Sequence, residues 1–567
     1  SICFTKQTSL GCIGSKLHRL RCILTISSSL ARLPDLVCLA CLIGFPLPRK
    51  SHMRYLLSLQ TVQTLALLMM AFGLCLPGKA ENNIALARVI ESQAAISREE
   101  IKQHAEVLAD DTMEGREAGS AGGRSAATYI RRTVSKAGLR PAGLEGTYYQ
   151  PFRAGCRNIL AEVPASESSD PEIRREAIIV CAHYDHVGYG TRKTSQGPTG
   201  YIHNGADDNA SGVATILEVA EALQQYAGPL KRRVLFIFWD AEEKGLWGSK
   251  HWLKHPTMPL NDVKLLVNVD MVGRLRGSLS LYGTRSLPGL RYAWSKSNRD
   301  GAIALDFPWE TVNNSDHYPF FQTGIPITMV HTGLHDDYHT PSDDAYRLNY
   351  DGIHATSKLL LDFVVQMANQ DSYSEFRWKA LQEKERQQQA FERLPFEASR
   401  KLGITLEKQR NGMRIQSVVV GSRADKFGLR PGDEILKLDG EVPKSFAAFR
   451  HQVATAAESV TLLVKSKQNK PREVTITLDQ EPTRLGITWR TSEPEPNAIV
   501  VSKVVRDSVA DQAGLRRLDR IHKLNGEVID DFDNFRSRIA GLEGKAELLL
   551  ERDGKLRIAT IRLTDNR

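Results

Sequence analysis

The sequence predicts an α/β domain followed by two small β-rich domains, on three observations. Apolar runs at residues 177–182, 234–239, 265–269 and 327–330 alternate with stretches whose apolar residues recur at helical spacing. Strands this apolar imply a sheet covered on both faces, the α/β arrangement. Near the C-terminus, "ADKFGLRPGDEILKLDGEV" at 424–442 returns as "ADQAGLRRLDRIHKLNGEV" at 510–528, with twelve of nineteen positions identical. The offset of 86 residues between the copies is too large for a solenoid repeat, so two separate small domains fit better.

The chain has 567 residues, more than one ordinary core accommodates. Its net charge of +9 is concentrated at the start. Residues 1–80 hold nine Lys/Arg against Asp35 alone, a balance of +8, which leaves +1 on residues 81–567. A near-neutral body removes the electrostatic case for nucleic acid. From Met53, "MRYLLSLQTVQTLALLMMAFGLCLPGKA" has a basic start, a short apolar stretch and small residues at its end. This is the layout of a secretory signal peptide over 53–80, with residues 1–52 outside the mature protein. The apolar stretch is too short to span a bilayer, so no stable membrane span is expected and the mature chain is exported, periplasmic or extracellular. Removal of the leader takes six of the eight cysteines and leaves Cys156 and Cys181, so no disulfide framework is expected. Cys181 lies inside an apolar run and reads as a small core residue.

Residues 81–150 read as helical, and 158–368 as the alternating strand and helix region. A helix follows Gly212, with Val213, Ile216, Leu217, Ala220 and Leu223 on one face. The charged, Gln-rich residues 369–395 read as a helical linker between a domain at 81–368 and two small domains at 396–479 and 480–567. Each small domain contains a short "LGI" segment, Leu402-Gly403-Ile404 and Leu485-Gly486-Ile487, ahead of the repeat. This pattern resembles PDZ domains, whose glycine-containing loop takes a peptide's terminal carboxylate while the peptide adds as a strand. The second copy departs from the pattern where Arg517-Leu518 replaces Pro431-Gly432.

The chemistry-bearing residues cluster at strand ends. Run 177–182 leads into "HYDH", with His183 and Asp185 two apart and so on one side of an extended chain. Run 234–239 leads into Asp240, Glu242 and Glu243, and run 265–269 into Asp270. "NGADDNASG" at 204–212 precedes the helix, and "GLHDDYHTPSDD" at 333–344 brings His339. Taken singly, these acids read as helix caps or solvated helix starts. Together they differ, because open α/β sheets bind ligands outside the carboxyl ends of their strands. Imidazoles and carboxylates in that place suit zinc. Five ligands exceed what one catalytic zinc takes, whereas two metals sharing a bridging carboxylate use five. In that arrangement Glu243 binds metal, and Glu242 remains to take a proton from water.

In this order, "HYDH", "GADDNASG", "DAEEKGLWGS", "NVDMVG" and "YHTPSDD" resemble the co-catalytic zinc peptidases of the bacterial leucyl aminopeptidase and glutamate carboxypeptidase family, over about residues 95–368. The resemblance implies a mixed central sheet flanked by helices and two zinc ions. It implies His183 and Asp270 on one ion, Glu243 and His339 on the other, and Asp208 between them. Asp185 would orient His183, Glu242 would be the general base, and Asp316 and His317 in "NNSDHYPF" would help place substrate. The implied activity is peptide-bond hydrolysis by an aminopeptidase acting on peptide or protein substrates, with C-terminal peptide ligands at the PDZ-like domains. Two alternatives stand: a carboxypeptidase of the same family, or a peptide-binding module on an inactive α/β scaffold. Arg274 and Arg276 are the arginines close to the motifs.

Overall fold

The computed structural model describes residues 77–392 and most of 402–563, so the signal-peptide reading falls almost entirely outside the described residues. The chain divides into two units, residues 1–84 and 85–567. Of the first, only the start of the helix Pro77–Gln93 is described.

The second unit contains a nine-stranded sheet. Its strands are β1 (Arg140–Pro141), β2 (Tyr149–Pro151), β3 (Arg157–Val163), β4 (Ala177–His183), β5 (Arg233–Trp239), β6 (Val263–Val269), β7 (Ser278–Tyr282), β8 (Ala304–Asp306) and β9 (Ile327–His331). The order is β1-β3-β5-β4-β6-β9-β7-β8, with β2 added beside β3. The middle four strands are parallel, and β3 and β7 flank them antiparallel. The sheet is therefore mixed. From β4 the chain goes to β5 on one side and returns to β6 on the other, which opens a crevice at the carboxyl ends of these strands.

Side chains alternate between two cores. Ile178, Val180, Ala182, Phe236, Phe238, Val267 and Val269 face one, with the helices Gly212–Gln224 and Tyr350–Ala368. Ile179, Cys181, Leu235, Ile237, Trp239 and Leu266 face the other, with Trp252, Phe320 and Phe321. Every residue of β4 is buried. Each large apolar side chain placed this way contributes roughly 1.5–3 kcal/mol, so the central strands are the rigid part of the domain. Cys156 and Cys181 are free and buried, and burial pushes the Cys156 thiol up to about 11.

Residues 81–150 are only partly helical. The helices Arg98–Leu108 and Ala121–Lys136 start at Ser97 and Ser120, whose hydroxyls accept from the backbone N–H of Glu100 and Gly123. Beyond them the segment turns into β1 and β2. In the linker, a short 3-10 turn, Trp378–Gln382, and the helix Glu385–Glu392 are separated by extended backbone; residues 393–395 lie outside the described residues.

The C-terminal region holds two further sheets. The first runs β10 (Ile404–Gln409), β11 (Gly412–Val418), β12 (Glu434–Leu438), β13 (Ser459–Lys465), β14 (Arg472–Thr477) in that order. The second comprises β15 (Ile487–Thr491), β16 (Ile499–Val504), β17 (Arg520–Leu524), β18 (Glu527–Val528), β19 (Gly544–Arg552) and β20 (Lys555–Leu563), and runs β15-β16-β17-β19-β20 with β18 beside β17. Each has its own apolar core. The repeat's divergent turn keeps its shape. Leu518 takes φ 71° where Gly432 takes 95°, and each donates its N–H at 2.7 Å, to Val501 and Ile415 respectively.

The second small domain is joined to the α/β domain by buried charge. Arg291, on the helix Leu290–Ser297, makes a bidentate pair with Glu551 at 2.9 Å through each nitrogen. Arg520 pairs with Glu495 beside it. Arg285 holds Glu383 at 2.7 and 2.8 Å, and Arg377 reaches both Glu383 and Glu493. Backbone bonds run alongside, from Leu305 N–H to Asp553 and from Gly289 N–H to Pro494, both 2.9 Å.

Candidate metal centre

Three strand ends and two loops build the site. Strand β4 ends at His183, whose Nδ1 lies 3.1 Å from the carbonyl of Asp185. With the Nδ1 proton on that carbonyl, Nε2 is left as the free lone pair, the usual way a ligating imidazole is oriented. Asp185 was expected to orient His183; its backbone oxygen makes the closer contact, while its carboxylate lies 3.8 Å from the ring and accepts the N–H groups of Glu242 (2.9 Å) and Glu243 (3.3 Å). Asp185 thereby fixes the twin glutamates just past β5, where Ala241 turns the chain with φ 60°.

Beyond β6, Asp270 is tied to β9 by its N–H to Val330 and is followed by Met271 at φ 52°. His339, itself at φ 53°, places Nδ1 2.9 Å from the carbonyl of Thr194 and stacks on Tyr338, so its Nε2 too points inward. Non-glycine residues at positive φ are costly and persist where surrounding structure holds them. Here they stand beside, or at, the converging groups.

Asp208 lies in the turn Ala206–Ser211 ahead of the long buried helix. Its N–H and that of Asp207 both donate to Asp343, which is in turn paired with Arg274 at 3.2 Å. Gly205 and Gly212 bracket the turn. A Cβ at Gly205 would meet the Asp208 carbonyl at 2.2 Å, and one at Gly212 the Asn209 side chain at 2.3 Å. Arg116 is 1% exposed and clamps both loops, donating to the carbonyls of Leu108, Tyr184, Asn204 and Gly205 at 2.5–2.8 Å. Burial pulls its pKa down to about 10, opposed by Asp208, Asp343, Asp185 and Glu243.

These supports bring the predicted donors together. His183 Nε2 lies 3.2 Å from Asp208 Oδ1 and 3.4 Å from Asp270 Oδ1. His339 Nε2 lies 3.0 Å from Asp208 Oδ2 and 3.1 Å from Glu243 Oε1. The two oxygens of one carboxylate thus face two separate groups of donors. Glu242 stands outside both groups. A residue missed from the sequence, His186, joins the second group, with Nδ1 2.9 Å from Glu243 and 3.7 Å from Asp208.

The residues present fit divalent metal. Asp270 Oδ1 and His339 Nε2 are buried without a hydrogen-bond partner, although acids and imidazoles crowd around them. Unpaired buried polar atoms are costly, and a cation among them removes that cost. Burial pushes Glu242 well above the ordinary carboxylate range, with Glu243, Asp316 and Asp270 adding to it and His183 opposing. Burial also raises Asp185. At Asp208 burial acts upward, but His183 and His339 hold it well below the usual range.

Asp316 and His317 sit under the site and are fully buried. The Asp316 carboxylate accepts the Ser249 hydroxyl, and His317 Nε2 lies 2.8 Å from the carbonyl of Val312. Burial pushes His317 down to about 4. Asp207, beside Asp208, is turned away from the donors and accepts the Gly273 N–H and the Ser211 hydroxyl. Arg274 is committed to Asp337 and Asp343, and Arg276 is exposed.

Imidazoles and carboxylates gathered at the carboxyl ends of a mixed α/β sheet define the class, an α/β fold with a candidate metal centre. Residues 158–364 match peptidase family M28, and residues 401–478 and 473–551 match PDZ domains. The chain carries an M28 peptidase domain followed by two PDZ domains. It is similar to aminopeptidase YwaD of Bacillus subtilis, 27% identical over 38% of this chain and 45% of that protein. It is also similar to leucine aminopeptidase 1 of Arthroderma gypseum, 27% identical over 43% of this chain and 68% of that one. The chain thus spans less than half the length of the Bacillus relative. Among solved structures it is similar to BSAP, a zinc aminopeptidase from Bacillus subtilis, with 17% identity, 48% of this chain and 95% of that chain covered, and a TM-score of 0.39. Among the described residues, no helix is long and apolar enough to cross a membrane.

Proposed function

We propose that this protein is an exported aminopeptidase with two zinc ions, one among His183, Asp208 and Asp270 and the other among Asp208, Glu243 and His339. The observation that carries the proposal is Asp208, whose two oxygens are directed to different donor groups. When bound, the ions supply Lewis acidity to the scissile carbonyl and acidify water. The remaining work belongs to the chain. Glu242, held in place by Asp185 and outside both donor groups, accepts the proton of the attacking water and passes it to the leaving amine. Asp185, Asp343 and Arg116 keep the loops in register, so the donors meet without reorganisation.

An aminopeptidase is preferred to a carboxypeptidase because the nearby arginines are committed elsewhere. Arg274 is bound to two aspartates and Arg116 to four carbonyls, so neither offers its fork to a substrate carboxylate. The names of the relatives point the same way. We place the PDZ domains as binders of peptide C-termini along the edge strands β10 and β15, and the mature chain outside the cytoplasm, as the composition of residues 53–80 suggests.

Release of amino acids from peptides with free and blocked N-termini tests the activity. Cleavage of the free peptides alone, abolished by a chelator and restored by zinc, is expected. Equal cleavage of blocked peptides would favour a carboxypeptidase or endopeptidase. Binding of peptides with no turnover would favour the module on an inactive scaffold.

A further inference from the structure

His186 makes the two metal positions unequal, and this inference rests on the two-zinc reading above. We infer that the position of Glu243 and His339 has a fourth protein ligand in His186 Nδ1, whereas the position of His183 and Asp270 has three protein donors and stays open. His186, Asp208, Glu243 and His339 each offer an atom within 4.8 Å of all the others; His183, Asp208 and Asp270 form the smaller group. Four donors on a zinc ion at about 2.0 Å stand ~3.3 Å apart at the edges of a tetrahedron. The four observed separations, 2.9, 3.0, 3.1 and 3.7 Å, scatter around that value.

The ring is not free to leave. The His186 side chain is wholly buried, its backbone N–H is bonded to Arg116, and its face packs edge-on against His339 with ring centroids 5.4 Å apart. On the other side Gly205 approaches so closely that a Cβ there would meet the ring at 2.5 Å. Of its two ring nitrogens, Nδ1 is the one that faces Glu243 and Asp208. The simpler role, donation of an Nδ1 proton to Glu243, leaves both positions with three donors. It does not account for the approach of the same nitrogen to Asp208 Oδ2, on the far side of the group.

Four protein donors close a zinc site, and three leave room for water and substrate. The substrate carbonyl and the attacking water therefore belong at the His183–Asp270 position, and the His186 position is the anchoring one.

Zinc X-ray absorption on the full-length protein loaded with two equivalents tests this without a variant. Three imidazoles shared over two ions are expected; two imidazoles would overturn the role of His186 and leave the two-zinc reading standing. Failure of the wild-type chain to take up two equivalents would overturn the two-zinc reading itself. A competition titration of His186→Ala supplies the second readout. One equivalent should weaken by more than about 100-fold, beyond the 10–100-fold that loss of a supporting hydrogen bond costs, while the other is unchanged. Equal weakening of both, or a change below that range, would contradict the assignment.

Discussion

Two clusters of buried charge lie in the same chain, and they solve the problem of burial in opposite ways. At the junction with the second PDZ domain, Arg291 and Arg520 meet Glu551 and Glu495, and Arg285 and Arg377 meet Glu383. Each carboxylate there has its own guanidinium. Burial acts upward on Glu551, yet Arg291, His522 and Arg520 hold it well below the ordinary range. At the strand ends of the peptidase domain, acids instead face acids and imidazoles, and burial raises Glu242 and Asp185. In the first cluster every carboxylate is matched by a guanidinium, although Arg377 Nε and Nη1 and His522 Nε2 have no hydrogen-bond partner among the described residues. The second gathers carboxylates with no cationic side chain among the described residues to match them, and a cation would balance it. A balanced buried cluster indicates assembly, and an unbalanced one indicates a ligand.

Removing the shared carboxylate should break the unbalanced cluster most severely. Asp208→Asn is expected to lose both equivalents of zinc and all measurable peptide release, while the PDZ junction keeps its stability; metal analysis and an activity assay check it. Glu242→Gln should separate chemistry from binding. Its zinc content should match the wild type while kcat falls by about 10²–10⁴-fold, the range of a general base.

The balanced cluster predicts a stability effect and no metal effect. Glu551→Gln leaves Arg291 buried and unpaired and should cost about 3–5 kcal/mol in urea unfolding, with zinc content unchanged. The sign of its pH dependence follows from the lowered pKa of Glu551. The stabilisation is fully present above the unfolded pKa of about 4.3 and is lost as pH falls through the lower folded value. The gap between wild type and variant should therefore close only in acid. The smallest effect is expected from Arg291→Met with Glu551→Leu, because a buried ion pair replaced by apolar residues of similar volume is often neutral or stabilising by about 1–4 kcal/mol. A large loss in that double variant would show that the junction needs charge rather than shape.

The sequence showed the centre of the molecule more clearly than its edges, for a physical reason. Parallel strands buried on both faces are unbroken apolar runs, and β4, β5, β6 and β9 stood out for that reason. Strand β3, with Arg157, Asn158 and Glu162, and the five-residue β7 lack so long an apolar run and were not singled out. Residues 140–151 lay in a stretch read as helical because two real helices precede them.

At the site, His183, Glu243, Asp270 and His339 were legible as acids and imidazoles at or just past strand ends, and Asp208 through the resemblance alone. His186 was not, because the two-residue period that linked Asp185 to His183 does not reach it. Strand β4 ends at His183, so that two-residue period no longer governs His186. Asp343 and Arg116 act through backbone carbonyls and amides distant in sequence, and no local pattern marks such a partner. In the second PDZ domain, Leu518 occupies a left-handed turn position that its side chain disfavours, so the missing glycine made the turn look doubtful although its bond to Val501 is kept.

One carboxylate joins the two groups of donors, and zinc stoichiometry measures that most directly. Titration of the metal-free full-length protein against a competing chromophoric chelator should give two equivalents for the wild type, two for Glu551→Gln, and none of comparable affinity for Asp208→Asn. A single equivalent in the wild type, or two retained by Asp208→Asn, would contradict it.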